Sequence, residues 1–475
     1  MDTLGFLSES VPNPKRVLVI LPAPYIQRTL EDYNIQGKFE YHWLTDPDTP
    51  ELFGSNVAAT KISMKFNVLN FISRAVEYVK VHKIDSVTFF HDFAGLLAAI
   101  ICEETGLRGP SVESSFLCIH KYYSRQAEPS NLWFEAIELD KDDWSTRIQY
   151  PCCVKAPFMF RSMCIFIVNN ENEMKAALES CRTELSDWGS IWKSLFEIYV
   201  DTEKYPLALK DMVIAEEVVA DGTQHTIEGW VDGEGNPYIW LTSDEGYYTK
   251  PHRTVDGYFM PTQVPKRCIK SMEDVALKVA RNHHLRDTFF NVEAWCRNDG
   301  EKITVTEVNN RSAYVYHHLY MHVYGTSCIH AALHLACGEY EEVHKLSIAQ
   351  QPPANRVGGL FLVQVHVKEA EEATTVVDFQ AAKAFQKEVP AGTQVELLSN
   401  LGPGINIIAK EDDVIYPVGS CGVLVASYNV FKPTFHEVLK RADEVRKTII
   451  RCKDILPQNR EPEYYLDNCG AIEVL

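Results

Sequence analysis

The sequence predicts a multidomain chain of mixed α/β and α+β class, and three observations carry that expectation. At 475 residues it exceeds what one compact core holds, and the length suits roughly three domains. The first stretch, about 110 residues, alternates strand and helix patterns, as a doubly wound unit does. The remainder groups its strands around few helices, which is the α+β arrangement.

The first element is KRVLVILPAP, an apolar, β-branched run after Pro14 with the pattern of a buried parallel strand. A helix is predicted over 65–82, then a strand, Ser86-Val87-Thr88-Phe89-Phe90. The small-residue helix AGLLAAIICEETG follows, with Asp92 as its cap and Gly106 as its stop. No GxGxxG accompanies this unit, so it offers no dinucleotide site.

GLRGPSVESSFLCIHKYYSRQ, rich in turn residues and then in Lys and Arg, marks the passage to a second domain. Residues 133–219 run through the strands CCVKAPF, CIFIVNN and DMVIAEEVV around a helix at 172–181. Residues 229–310 alternate strands with a helix at 274–284, and helices rich in His and Ala then end near Gly338. The Pro-rich QQPPANR separates a last α+β block. There GGLFLVQVHV, TQVELLSN and GVLVASYN read as strands and HEVLKRADEVRKTIIR as an amphipathic helix. The expected domains are 1–112, 113–345 and 346–475.

Hydrophobic content of 46% and charged content of 23% are those of a folding globular chain. A formal charge of −19 disfavours nucleic acid and anionic membrane as partners. No apolar run reaches the length of about 20 needed to span a bilayer. The start, MDTLGFLSESVPNPKR, lacks the basic and apolar regions of a signal peptide, so a cytoplasmic location is expected. Thirteen scattered cysteines without a CxxC pair read as reduced, buried thiols. His318 and His322, and likewise His330 and His334, stand at i,i+4 spacing, but no Glu follows the first His of either pair. Ordinary helix histidines are the default reading.

The most informative stretch is ITVTEVNNRS. On a strand, Glu307, Asn309 and Arg311 project to one face and Val308 and Asn310 to the other. Two oxygen donors can share a hard cation, and the Arg can hold the anion that the cation neutralises. Taken alone, the triplet reads first as a solvated strand edge. Glu293, fourteen positions before Glu307 in FFNVEAW, adds a further acid. Lys155 ends the strand YPCCVK and can meet phosphates as a point charge. MVIAEEVV carries Glu216 and Glu217, either an acid that accepts adenine amino hydrogens or an exposed strand end. Gln224, after the turn, is within reach of a ribose hydroxyl in that reading.

In this order and at these separations the pieces resemble the ATP-grasp superfamily, from about His91 to Gly338 and more loosely to the C-terminus. ETGLRGPSVESSFLCIHKYYSR looks like the family's opening segment, in which Lys121 would help bind the nucleotide, with Arg125 one helical turn later. YPCCVKAP resembles the second lysine strand and MVIAEEVVADGTQ the adenine hinge, with Val219. The resemblance implies a lid subdomain at about 130–217 and an N-terminal doubly wound pre-ATP-grasp domain. It also implies Mg²⁺ on Glu293, Glu307 and Asn309, and Arg311 against phosphate or acyl phosphate. The tail, from GTQVELLSNLGPG onward, looks like the C-terminal cap of carnosine-synthase-like carboxylate–amine ligases. VDGYFMPTQVP is similar to a loop shared with the biotin-carboxylase branch.

Two places depart from the family pattern. The lid stretch Phe158-Met159-Phe160-Arg161-Ser162 has no glycine, which leaves Ser162 and its neighbouring amides to cover the phosphates. Arg311-Ser312-Ala313-Tyr314 is bulky where related ligases place glycines. The resemblance implies an enzyme using ATP and Mg²⁺ to join a small carboxylate to an amine through an acyl phosphate, with Lys155 and Arg311 catalytic. Tyr247-Tyr248-Thr249-Lys250-Pro251-His252-Arg253 is the candidate loop for a substrate carboxylate. The last block offers a surface for a homodimer. The rival readings are a nucleotide-binding regulator without turnover and a biotin-carboxylase-like carboxylase, although the chain has no Met-Lys-Met biotinylation segment.

Overall fold

A computed structural model describes residues 13–34, 37–46, 66–129, 132–141, 143–159, 164–219, 221–248, 254–348 and 357–365. Beyond these it describes 371–372, 378, 380–381, 396–399, 414–415, 423–449 and 451. In the N-terminal part, β1 (Lys15–Ile20), α1 (Pro24–Tyr33), β2 (Phe39–Leu44), α2 (Val68–His82), β3 (Ser86–Thr88) and α3 (Asp92–Thr105) follow one another. The three strands form a parallel sheet in the order β2-β1-β3. Strand alternation divides β1 between two cores: Leu18 and Ile20 pack with α2 and α3, while Val17 and Val19 pack with α1 and the helices after residue 314. Burial on both faces is why the run is continuously apolar.

α1 and β2 are additions to the predicted order. Pro24 opens α1, where its missing N–H costs nothing. FEYHWL alternates aromatic Phe39, Tyr41 and Trp43 with polar Glu40 and His42, so its strand signal was present in the sequence although its burial does not alternate cleanly. Asp92 is a correction: the cap position belongs to His91, Asp92 is the first helical residue, and its carboxylate is used elsewhere. Gly106 does end α3, with a left-handed φ of 69°.

α4 (Val112–Ile119) and α5 (Lys121–Ala127) lead into a four-stranded antiparallel sheet. It comprises β4 (Phe134–Glu138), β5 (Cys152–Lys155), β6 (Ile165–Val168) and β7 (Met212–Glu217) in the order β4-β7-β5-β6. Between β6 and β7 lies α6 (Glu171–Tyr199), far longer than the expected 172–181. Gly189 does not stop it, because Trp192, Leu195 and Phe196 beyond are fully buried in the core and outweigh the roughly 1 kcal/mol helix cost of glycine.

The large sheet is antiparallel, in the order β12-β11-β8-β9-β10-β13-β17-β15. Its strands are β8 (Thr223–Val231), β9 (Pro237–Tyr248), β10 (Thr254–Met260), β11 (Thr288–Arg297), β12 (Lys302–Asn309), β13 (Val357–Val365), β15 (Glu396–Ser399) and β17 (Val423–Lys432). A two-residue ladder joins β14 (Glu371–Glu372) and β16 (Val414–Ile415). α7 (Lys266–Asn282) buries Cys268, Met272, Ala276, Val279 and Ala280 against the sheet, and α10 (Phe435–Ile449) packs beneath β13 and β17. The strands after residue 357 thus extend the sheet that carries the candidate site.

α8 (Cys328–Ala336) and α9 (Tyr340–Leu346) close the fold against β1 and β2. Glu339 pairs with Lys15 and Lys38, each at 2.9 Å, and with His334 Nδ1 at 2.6 Å. His330 stacks on Tyr33 at 3.6 Å between centroids. His330 and His334 are thus engaged in packing and pairing, and the described residues contain no preformed group of three or more His, Cys, Asp or Glu side chains placed to hold a metal ion.

Candidate active site

Four neighbouring strands bring their polar side chains to one face. Glu307 stands opposite Glu293, which stands opposite Thr226; Asn309 stands opposite Asn291, which stands opposite Glu228; Gln224 stands opposite Glu245. Directly opposed residues hold their Cβ atoms about 5 Å apart, so this face gathers carboxylates at short range. Burial, then the charges of Glu245 and Glu307, push the Glu293 carboxyl well above the usual range. Burial pushes Glu228 up to about 7, against the opposing help of the Ala313 N–H, Arg311 and Asn291. Such a face is short of positive charge, and its hard oxygen donors suit Mg²⁺.

The cations arrive from other elements. Lys121 opens α5 and places Nζ 3.2 Å from Glu307 Oε1 and 2.7 Å from the Met159 carbonyl. Lys155, the last residue of β5, places Nζ 2.6 Å from Glu216 Oε1 and 3.5 Å from the Thr306 carbonyl. Burial alone would lower the Lys155 ammonium, and Glu216 more than reverses it. Arg311 continues the polar face beyond β12 and forks onto Asp92, Nε to Oδ1 at 2.5 Å and an NH₂ group to Oδ2 at 3.1 Å. Burial would raise the Asp92 carboxyl, but the Arg311 charge and hydrogen bonds hold it below its usual range.

The strand end is fixed from its opposite face. Asn310 donates to Ser115 Oγ at 2.9 Å, and its carbonyl accepts from Thr288 Oγ1 at 2.8 Å. A Cβ on Gly95 in α3 would lie 2.5 Å from the Asn310 side chain, so glycine at that helix position permits the approach.

Glu293, Glu307, Asn309, Lys121 and Arg311 therefore converge on one face, and Lys155 reaches its β12 edge. Asn309 donates to Asn291 Oδ1 at 3.4 Å, which leaves its own oxygen for a cation. Glu216 departs from the expected role. Both its oxygens are taken by cations, Oε1 by Lys155 and Oε2 by Arg125 at 2.7 Å, so it is a buried counter-charge with no oxygen left for an adenine amino group. Glu217 sits half-buried at the end of β7 and Val219 is buried just beyond it. The Gln224 amide lies 3.5 Å from Glu293 Oε2, on the acidic face. Ser162 and residues 249–253 lie outside the described residues.

Sequence reading missed Asp92 as a partner of Arg311, and it missed Glu228 and Glu245. Alternation in GTQHTIEG carried a signal for Glu228, since Gln224, Thr226 and Glu228 share a face. Asp92, Phe93, Lys121, Phe158, Trp192, Glu307 and Asn309 line an open cleft of about 340 Å³ that combines charged and aromatic side chains.

Residues 148–315 match the ATP-grasp domain family, and the chain carries an ATP-grasp domain. Among solved structures, an L-amino acid ligase from Bacillus licheniformis is 15% identical, with a TM-score of 0.65 over 94% of this chain and 100% of that one. A phosphoribosylglycinamide synthetase from Anaerococcus prevotii is 13% identical, with a TM-score of 0.58 over 92% of this chain and 99% of that one. A biotin carboxylase from Campylobacter jejuni is also 13% identical, with a TM-score of 0.58 over 91% of each. These likenesses fix the fold as the ATP-grasp fold across most of the chain. No curated protein matches the sequence. No helix among the described residues is long and apolar enough to cross a membrane.

Proposed function

We propose that the protein is a cytoplasmic, ATP-dependent carboxylate–amine ligase. ATP transfers its γ-phosphoryl group to a substrate carboxylate, giving an acyl phosphate and ADP. The amine then attacks the acyl carbon, and phosphate leaves as the amide forms. The observation that carries this reading is the contact of Lys121 with Glu307, because it joins a phosphate-type lysine to the strand whose acids suit Mg²⁺. A bound Mg²⁺ on Glu293, Glu307 and Asn309 would offset charge on the transferred phosphoryl group. Lys121 and Lys155 orient the triphosphate, and Glu216 holds Lys155 in place. The backbone and side chains around Glu217 and Val219 face the base. Arg311, aimed by Asp92, stabilises the tetrahedral oxyanion.

The substrates are small molecules, and an amino acid is the first candidate for either one, in keeping with the likeness to an L-amino acid ligase. The test is ADP release with ATP and Mg²⁺ across a matrix of carboxylates and amines. The expected outcome is release that needs both substrates and yields an amide by mass. Release that needs bicarbonate alone would move the protein to the carboxylase class, and a matrix with no amine-dependent release would sink the ligase reading.

A further inference from the structure

Arg125 takes no part in the chemistry above, yet it is among the most heavily engaged side chains in the molecule. It lies on α5 one turn after Lys121 and is 3% exposed. Its Nε and one NH₂ group donate to Glu216 Oε2 at 3.0 and 2.7 Å, and the other NH₂ group meets Glu128. Those same two NH₂ groups donate to the carbonyls of Val305 at 2.9 Å and Thr306 at 3.1 Å. Glu128 is steadied by Ser124 Oγ at 2.9 Å, which also meets His283 Nε2 at 3.0 Å.

The two carbonyls belong to a β-bulge. Glu293 pairs with Glu307, but Ala294 pairs with Val305, so Thr306 is the extra residue immediately before the metal-type carboxylate. Its hydroxyl donates to the Glu293 carbonyl at 3.2 Å, and Lys155 Nζ approaches its carbonyl at 3.5 Å. A bulge re-aims the side chains that follow it, and a flexible one would let Glu307 wander. The five-donor planar fork of an arginine serves two carboxylates and two successive carbonyls at once, more than the three donors of a lysine could reach.

We propose that Arg125 is a positioning residue that couples the two halves of the site: it clamps the Val305–Thr306 bulge to Glu216, and so fixes Lys155 relative to Glu293 and Glu307. The proposal rests on the ATP-grasp ligase reading of those residues. Its consequence is that nucleotide and Mg²⁺ bind cooperatively, since each is held by groups that Arg125 keeps in register. A buried ion pair kept for stability alone would have no reason to affect that cooperativity.

The test is the dissociation constant of ATP, measured by calorimetry with excess Mg²⁺ and again with EDTA, for the wild type and Arg125→Lys. The wild-type ratio is read first. A ratio near one overturns the coupling, whereas no measurable ATP binding in either arm removes the nucleotide reading itself, before any variant is considered. Given a large wild-type ratio, Arg125→Lys is expected to cut it about tenfold, with metal-free affinity nearly unchanged. A variant that weakens both constants equally, preserving the ratio, overturns the coupling and leaves the ligase reading standing. If Arg125→Lys does not fold, Arg125→Met with Glu128→Met removes opposite charges in balance and is read in the same way.

Discussion

The two sides of the cleft differ in their charge. On the β5–β7 side, Arg125 and Lys155 face Glu128 and Glu216, two cations to two carboxylates, all buried and all joined by hydrogen bonds or ion pairs. On the large-sheet side, Glu228, Glu245, Glu293 and Glu307 share a face whose nearby cations are already engaged, Lys121 with Glu307 and Arg311 with Asp92. The first side is complete as the chain folds it. The second carries Glu228 and Glu293, whose carboxyls burial pushes up, so in the proposed function it would reach balance when a cation binds. In the proposed ligase the balanced side would hold the nucleotide lysine in place, and the unbalanced side would recruit the metal.

The comparison breaks most visibly at Glu216. Glu216→Ala leaves Arg125 and Lys155 charged and buried, and is expected to destabilise by about 3–5 kcal/mol; urea unfolding measures the loss, and a change near zero would mean that the pairs are not balanced as described. On the opposite side, Glu307→Gln is expected to lower kcat for ADP formation by about 10²–10³-fold. There the metal-free melting temperature should change little, because relief of the repulsion with Glu293 offsets loss of the Lys121 pair, and Mg²⁺ should stabilise the wild type more than the variant. Asp92→Asn comes next, since it loosens the aim of Arg311 without touching the lysines. It is expected to lower kcat by about tenfold to a hundredfold, with KM for ATP little changed in initial-rate assays.

The smallest effect sharpens the contrast through pH. The Glu228 carboxyl is raised from 4.5 to about 7 in the fold, so its neutral form is the favoured one. Its contribution to stability is full below 4.5 and is lost as pH rises through about 7. Between pH 5 and 8 the metal-free wild type should therefore lose melting temperature relative to Glu228→Gln, by a few degrees. Parallel curves for the two proteins would remove Glu228 from the unbalanced set.

The candidate site was legible in the sequence wherever local pattern alone groups the residues. Glu307, Asn309 and Arg311 share a face because strands alternate, and that needs no partner to be known. Lys155 at a strand end is legible for the same reason. Asp92 was misread because its local grammar, an acid at a helix start, offers a sufficient role; its partner Arg311 is 219 positions away. Glu216 was misassigned for a related cause, since its counter-ions come from α5 and β5 and only the folded chain brings them together. α6 outruns its expected end at 181 because Leu185, Trp192, Leu195 and Phe196 pack into the core and carry the helix on through Gly189.

Gly95 has a mechanical consequence. Because α3 lacks a Cβ at that position, the end of β12 lies directly against the helix, with Asn310 on one side and the Arg311 bridge to the helix start on the other. A one-residue slide of β12 would drive a side chain into that helix. The N-terminal unit therefore acts as an abutment for the strand that carries Glu307 and fixes its position along the strand direction.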